Sequence, residues 1–161
     1  LFRMDSSRID VVIHPQSLVH SMVEMVDGSI IAQLSQPDMR FAIQYALTYP
    51  ERADGLLPKL DLARAGRLDF MEPDREKYPS LDLAYAALNA GGTLPAVMNA
   101  ANEVAVEAFV RGAINVPDLW RCIETVMEKH RVQKLDTVAA AVEADRAARL
   151  AAAEFIKNNK I

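Results

Sequence analysis

The chain has 161 residues and a formal net charge of −4; 51% of its residues are hydrophobic and 25% are charged. This composition is typical of a globular protein with one ordinary domain, or one small domain and an appendage, and it excludes a disordered chain. The mixed charge gives no sign of a nucleic-acid-binding surface, and no apolar run is long enough to span a membrane. The single cysteine, Cys122, excludes an internal disulfide, so we expect a cytoplasmic protein.

The first third of the chain has the pattern of β-strands. Apolar and polar residues alternate at residues 9–13, and two further apolar runs, at residues 22–26 and 29–34, flank Asp27-Gly28. Asp-Gly between two strand-like runs is a strong hairpin signal, because a type I′ turn needs positive φ at both central positions. The pattern predicts a β-unit of about three strands.

A short helix is predicted at residues 41–48, with Asp38 as its cap and Pro50 at its end. Residues 49–77 are rich in proline, glycine and charged residues, which is the composition of an irregular linker. One short strand is predicted within this linker, at residues 67–71.

The rest of the chain is predicted to be helical. Capping residues, prolines and glycines divide it into four helices, at residues 80–89, 93–112, 117–130 and 137–158. Ser80 and Asp136 are the predicted caps of the first and the last, and Thr93 opens the second. Short loops between helices imply antiparallel neighbours. The predicted fold is therefore α+β, with an N-terminal β-hairpin unit and a short helix, then a C-terminal antiparallel helical bundle.

Two histidines, His14 and His20, follow the first predicted strand and lie on either side of a bend at Pro15. Three interpretations are open. The pair can bind a metal, with Glu24 or Asp27 as a third ligand, although the spacing matches no helical metal motif. Both can be buried, hydrogen-bonded structural groups. Alternatively, His20 faces a substrate site that residues outside this chain largely form.

Ser17 and Met39 also have two interpretations each. Ser17 either bonds the local backbone after the proline turn or contacts a substrate; no Gly-x-Ser-x-Gly elbow surrounds it, so it does not resemble a nucleophile. Met39 is either core packing at the start of a helix or part of a binding surface. Asn99, Asn102 and Glu103 share one helix face, and we expect them to satisfy neighbouring groups rather than bind a ligand.

Four stretches in this order resemble the C-terminal half of the 1-deoxy-D-xylulose-5-phosphate reductoisomerase family: residues 13–23 (IHPQSLVHSMV), 27–29 (DGS), 36–40 (QPDMR) and 99–103 (NAANE). The resemblance implies that residues 1–48 are the end of a catalytic and dimerisation domain, residues 49–77 a linker and residues 78–161 a C-terminal four-helix bundle. It also implies that the nucleotide-binding domain and the metal carboxylates lie upstream of Leu1. The chain would then be a fragment.

The family uses NADPH and a divalent cation, Mg²⁺ or Mn²⁺, to convert 1-deoxy-D-xylulose 5-phosphate to 2-C-methyl-D-erythritol 4-phosphate in non-mevalonate isoprenoid biosynthesis. By resemblance, His20 and Ser17 are substrate-pocket candidates, and Pro37 and Met39 lie near the cofactor. No metal ligand and no certain catalytic residue are expected in this chain, and the fragment alone is expected to bind no cofactor and to be inactive.

The family also implies a homodimer formed through the β-unit at residues 9–34. Three strands with alternating apolar residues leave edges and a face uncovered, which agrees with pairing between two copies. The alternative is a protein of another class, a non-catalytic helical interaction module derived from the same family.

Overall fold

The computed structural model describes residues 4–55 and 57–159. Predicted unit ends that fall on Leu1 or Ile161 lie outside the described residues. The chain forms two compact units, one comprising Val11–Pro73 and the other comprising Asp74–Ile161 together with Leu1–Asp10. The α+β class, with a β-hairpin and a set of helices, is confirmed. The division into 1–48, 49–77 and 78–161 refers to domains of a longer protein and stays a prediction.

The predicted hairpin is present in the first unit. Strand β1 (Val19–Glu24) pairs with β2 (Ile30–Leu34) in an antiparallel two-stranded sheet. The turn contains Gly28 at φ 82°, a left-handed conformation that glycine adopts without strain. The Asp27 carboxylate accepts a hydrogen bond from the Ser29 backbone N–H at 2.9 Å, which closes the turn.

The prediction of a strand at residues 9–13 is wrong, and so is the prediction of a strand at residues 67–71. In their place a single antiparallel bridge joins Ile13 to Met71, with reciprocal N–H···O distances of 2.8 and 2.9 Å. The pairing does not extend because Pro15, two residues on, has no N–H to donate to the opposite chain.

Helix α1 (Arg40–Thr48) confirms the predicted short helix, but Asp38 is not its cap. Met39 occupies the cap position without a side-chain hydrogen bond. The Asp38 carboxylate instead accepts from the Arg40 backbone N–H at 2.9 Å and pairs with the Arg40 guanidinium at 2.6 Å, so it lies one position too early. These bonds from Arg40 lower the pKa of Asp38 to about 2.

The predicted linker is irregular apart from one short helix. Helix α2 (Leu62–Ala65) begins after Asp61, whose side chain accepts from the Arg64 backbone N–H at 3.0 Å. This is an ordinary N-cap, since a short polar side chain satisfies one of the unpaired N–H groups of the first turn.

The described residues of the second unit form four helices: α3 (Ser80–Ala90), α4 (Leu94–Val110), α5 (Val116–Lys129) and α6 (Val138–Asn158). A 3-10 turn at Ser6–Arg8 contacts α3. Helix α4 is central and contacts the other three helices. None of the described helices has the length and apolar content needed to cross a membrane.

The core of the second unit is built from small side chains. The buried residues of α4 and α6 are mostly alanines: Ala100, Ala101, Ala105, Ala108, Ala144, Ala148 and Ala152. Because alanine adds little volume beyond the backbone, these two helices can approach closely. Larger side chains from α5, such as Ile123 and Val126, fill the rest of the core.

Two predicted helix caps of this unit are wrong by one residue. Ser80 is the first residue of α3, and Pro79 holds the cap position. Thr137 rather than Asp136 caps α6, since its hydroxyl accepts from the Ala140 backbone N–H at 3.1 Å. The Asp136 carboxylate pairs with Lys134 at 2.9 Å instead.

Candidate functional site

A tight turn follows the Ile13–Met71 bridge and leads into β1. The Ser17 backbone N–H donates to the His14 carbonyl at 3.0 Å, and Ser17 has φ 52°, the left-handed conformation. That conformation costs a residue with a Cβ about 1 kcal/mol, so the surrounding contacts must hold it in place. The turn leaves the Ser17 side chain exposed. This exposure is compatible with both interpretations of Ser17.

The His14 imidazole is fixed by contacts within its own unit. Nδ1 lies 2.8 Å from the Asp69 carbonyl oxygen, and the ring stacks on Phe70 with 4.7 Å between centroids. Because a carbonyl can only accept, Nδ1 carries the proton and a neutral ring has its lone pair on Nε2. His14 Nε2 is buried and has no hydrogen-bond partner among the described residues. These contacts favour a structural role for His14.

The Gln16 side chain makes a paired contact with Asp69. Gln16 Nε2 donates to the Asp69 carboxylate, and Gln16 Oε1 accepts from the Asp69 backbone N–H at 3.2 Å. The same carboxylate oxygen, Asp69 Oδ2, also accepts from Arg67 Nε at 3.1 Å. No local sequence signal marks Gln16 and Asp69 as a pair, because they are 53 positions apart and only the folded chain joins them.

His20 lies on β1 and contacts the end of β2. Its Nε2 is 3.0 Å from the Ser35 hydroxyl oxygen, and that hydroxyl in turn donates to the Gln36 carbonyl at 3.0 Å. Since Ser35 uses its single proton on Gln36, the imidazole donates from Nε2 and, when neutral, keeps its acceptor at Nδ1. Ser35 is buried, whereas His20 is exposed, so the interpretation of His20 as a buried group is wrong. Ser35 was also missed by the sequence analysis.

The two histidines have different partners, and the structure does not join them. No group of three or more His, Cys, Asp or Glu side chains is arranged to hold a metal ion within residues 4–55 and 57–159. Pro37 and Met39 lie beyond Ser35, in the loop before α1, and both are exposed. Met39 is 72% exposed, so the interpretation of Met39 as core packing is wrong.

The chain matches the family model described as the DXP reductoisomerase C-terminal domain, over residues 34–151. The chain belongs to this family. It is 52% identical to 1-deoxy-D-xylulose 5-phosphate reductoisomerase from Pelotomaculum thermopropionicum, over 98% of this chain and 41% of the relative. It is 53% identical to the Heliobacterium modesticaldum enzyme of the same name, over 97% of this chain and 40% of the relative. The chain thus spans about two fifths of the length of these reductoisomerases.

Solved reductoisomerase structures have the same fold over this region. The Zymomonas mobilis 1-deoxy-D-xylulose 5-phosphate reductoisomerase, in complex with NADPH, matches with a TM-score of 0.90 and 37% identity, over 97% of this chain and 41% of that chain. A DOX-P reductoisomerase in complex with NADPH, fosmidomycin and magnesium matches with a TM-score of 0.84 and 37% identity, over 91% and 38%. The resemblance drawn from the four sequence motifs is confirmed.

Of the three polar residues that share one face of α4, Asn99 and Glu103 bond to neighbouring groups. Asn99 donates to Glu103 at 3.0 Å, and Glu103 pairs with Arg149 of α6 at 2.6 Å. The hydrogen bond from Arg149 holds the pKa of Glu103 below its usual value. Arg149 also pairs with Asp145 at 2.7 Å. These side chains join α4 to α6, as expected for satisfied surface groups.

Cys122 gives no sign of reactivity. It is fully buried in α5, and burial raises the pKa of its thiol to about 11. A thiol in apolar surroundings stays protonated and is a poor nucleophile. The structure therefore assigns Cys122 to the core.

Proposed function

We propose that this chain is the C-terminal part of an NADPH-dependent, cytoplasmic enzyme that converts 1-deoxy-D-xylulose 5-phosphate to 2-C-methyl-D-erythritol 4-phosphate. The observation that carries the proposal is 52% identity to a named reductoisomerase along 98% of the chain. The match covers 41% of that relative's length, and the proposed activity is that of the whole enzyme.

The described residues do not fit a divalent metal by themselves, because they contain no cluster of three ligating side chains. The Mg²⁺ or Mn²⁺ that the proposed reaction needs would therefore be held by other residues of the whole enzyme. NADPH, when bound there, supplies the hydride. The contribution of this chain is to bind and orient the substrate and to exclude water.

The proposed substrate contacts are His20 and Ser17. His20 is anchored by its Nε2–H bond to Ser35, and a neutral ring can accept a proton or a hydroxyl hydrogen bond at Nδ1. Ser17 has an exposed hydroxyl on a backbone held in the left-handed conformation. Such a pre-formed donor can bind an anionic or hydroxyl oxygen of a phosphosugar at little entropic cost.

The proposed cofactor-proximal residues are Pro37 and Met39. Both present apolar surface to the outside of their unit, in the loop before α1. An apolar wall beside the nicotinamide would exclude water during hydride transfer. The methionine side chain is suited to this place because it is flexible and polarisable.

We also propose that the enzyme is a homodimer that pairs through the hairpin. The strands β1 and β2 have no third strand beside them among the described residues, and several large apolar side chains of the hairpin are exposed: Val23 at 60%, Ile30 at 59%, Ile31 at 63% and Val26 fully. A two-fold contact with a second copy would bury this surface and at least one strand edge.

The test of the proposed activity uses the intact protein and the isolated chain side by side. The intact protein should consume NADPH in the presence of 1-deoxy-D-xylulose 5-phosphate and Mg²⁺. The isolated chain should show no turnover, and calorimetry should detect no micromolar binding of NADPH to it. An intact protein without turnover would contradict the proposed enzyme and favour the helical interaction module. Micromolar NADPH binding by the chain alone would contradict the proposal that the cofactor is bound by other residues of the whole enzyme.

A further inference from the structure

Asp69 lies opposite Pro15 at the point where the antiparallel pairing of Ile13 with Met71 stops. Ile13 and Met71 exchange both backbone hydrogen bonds, so the next such pair in an antiparallel ladder is residue 15 opposite residue 69. Pro15 has no N–H, and an ordinary ladder therefore stops there. Without another partner, the Asp69 backbone carbonyl would lose the bond that the N–H of residue 15 supplies in a continuing ladder.

Two side chains take the place of the missing backbone bonds. His14 Nδ1 donates to the Asp69 carbonyl at 2.8 Å, and Gln16 Oε1 accepts from the Asp69 N–H at 3.2 Å. The residues before and after Pro15 thus bind both backbone groups of Asp69, including the carbonyl to which Pro15 cannot donate. The Asp69 carboxylate adds a third contact, because it accepts from Gln16 Nε2.

These contacts hold both sides of the turn that ends at Ser17. The His14 carbonyl accepts the Ser17 N–H at 3.0 Å, and Gln16 directly precedes the left-handed Ser17. A non-glycine residue keeps such a conformation only where its neighbours are fixed. Fixing His14 and Gln16 at Asp69 supplies that constraint from a segment more than fifty residues further along the chain.

We propose that Asp69 is a positioning residue for the substrate site, and that its carboxylate acts through Gln16 to hold the turn that presents Ser17. The inference rests on the proposed function, since it concerns substrate binding by Ser17. It assigns a role in binding to a segment that sequence analysis interpreted as linker. Arg67 Nε donates to the same Asp69 Oδ2 as Gln16, at 3.1 Å, but the Arg67 side chain is 83% exposed and the proposed role does not require it.

The test compares four variants of the intact enzyme: Asp69→Ala, Asp69→Asn, Gln16→Ala and the Gln16→Ala/Asp69→Ala double variant. KM for 1-deoxy-D-xylulose 5-phosphate, kcat and thermal midpoint are measured for each. Asp69→Ala should raise KM about tenfold, which corresponds to about 1.4 kcal/mol of binding, with little change in kcat. Gln16→Ala should have the same effect, and the double variant should be no worse than either single variant, because the two residues act as one pair.

The conservative variant separates positioning from loss of charge. Asp69→Asn keeps an oxygen that accepts from Gln16 Nε2, so its KM should stay within about twofold of the wild type. Asp61→Ala is the matched control, because Asp61 caps α2 in the same unit and does not contact the turn. It should leave KM unchanged even where it lowers the thermal midpoint.

A second measurement does not depend on activity. Hydrogen–deuterium exchange of a peptide that covers residues 14–18 should become faster in Asp69→Ala and Gln16→Ala, because the Ser17 N–H loses its fixed acceptor. It should be unchanged in Asp61→Ala. If Asp69→Ala does not fold, Gln16→Ala decides the outcome, because it leaves the Asp69 backbone intact.

The possible failures are distinguishable. A wild-type enzyme without turnover overturns the proposed function, and the exchange measurement still decides whether Asp69 holds the turn. An active wild type whose KM is the same in Asp69→Ala and Gln16→Ala overturns the positioning role. A KM raised equally by Asp61→Ala would also overturn it, because the effect would then be general destabilisation.

Discussion

Thr93 joins two segments of the helical unit, and removing its hydroxyl should destabilise that unit. The side chain is fully buried at the start of α4. Its Oγ1 lies 2.7 Å from His130 Nε2 and accepts from the Gln133 backbone N–H at 3.0 Å. Thr93→Val keeps the shape of the side chain but leaves both groups without their partner. We expect the free energy of unfolding to fall by about 2 kcal/mol, since two hydrogen bonds are lost and each contributes about 0.5–1.5 kcal/mol.

Urea unfolding monitored by circular dichroism measures this change. Thr93→Ser retains the hydroxyl and should recover most of the lost free energy. Thr125→Val in α5 makes the same chemical change at a half-buried position and should alter the free energy by less than about 0.5 kcal/mol. If Thr93→Val is as stable as the wild type, or if Thr93→Ser is as unstable as Thr93→Val, the assignment of the energy to these two hydrogen bonds is refuted.

Three further predictions concern the site, the hairpin and the core. In the intact enzyme, His20→Ala should raise KM or lower kcat without a large change in thermal midpoint. His14→Ala should mainly lower stability, by about 2 kcal/mol, because the Asp69 bond and the Phe70 stack are lost, and it should raise KM only through the loosened turn before Ser17. Kinetics beside thermal melts would contradict this if His14→Ala impaired turnover at an unchanged thermal midpoint. Ile31→Asp should convert the proposed dimer to monomer in sedimentation equilibrium, whereas Val142→Asp, at a similarly exposed position on α6, should leave the dimer intact. A dimer that survives Ile31→Asp would place the interface elsewhere. In the folded protein the Cys122 thiol has a pKa of about 11, against an ordinary value of 9.0, so its contribution to stability is complete below pH 9 and is lost as the pH rises towards 11. At pH 8 a thiol reagent should label Cys122 only after denaturant is added, and rapid labelling of the native protein would contradict its burial.

Local sequence determined the elements whose signals are short-range. Asp27-Gly28 specified the position of the hairpin turn, but only Gly28 has positive φ, so the turn is not the type I′ turn that the dipeptide indicated. The apolar stripe of α4, with Val97, Ala101 and Ala105 on one face, specified which side of that helix is buried. The four motifs that indicated the family are also local, and the relatives at 52–53% identity confirm them.

Tertiary structure decided the features that depend on distant partners. The alternation at residues 9–13 indicated a strand, but only the fold shows that one bridge to Met71 forms and that Pro15 ends it. The cap predictions at Asp38 and Asp136 were one residue early, since Met39 and Thr137 hold the cap positions, and the two carboxylates pair with Arg40 and Lys134. Asp69 had no signal in its own neighbourhood. Its role arises because chain closure over more than fifty residues brings it opposite a proline that cannot donate a hydrogen bond, and side chains from the turn bind it instead.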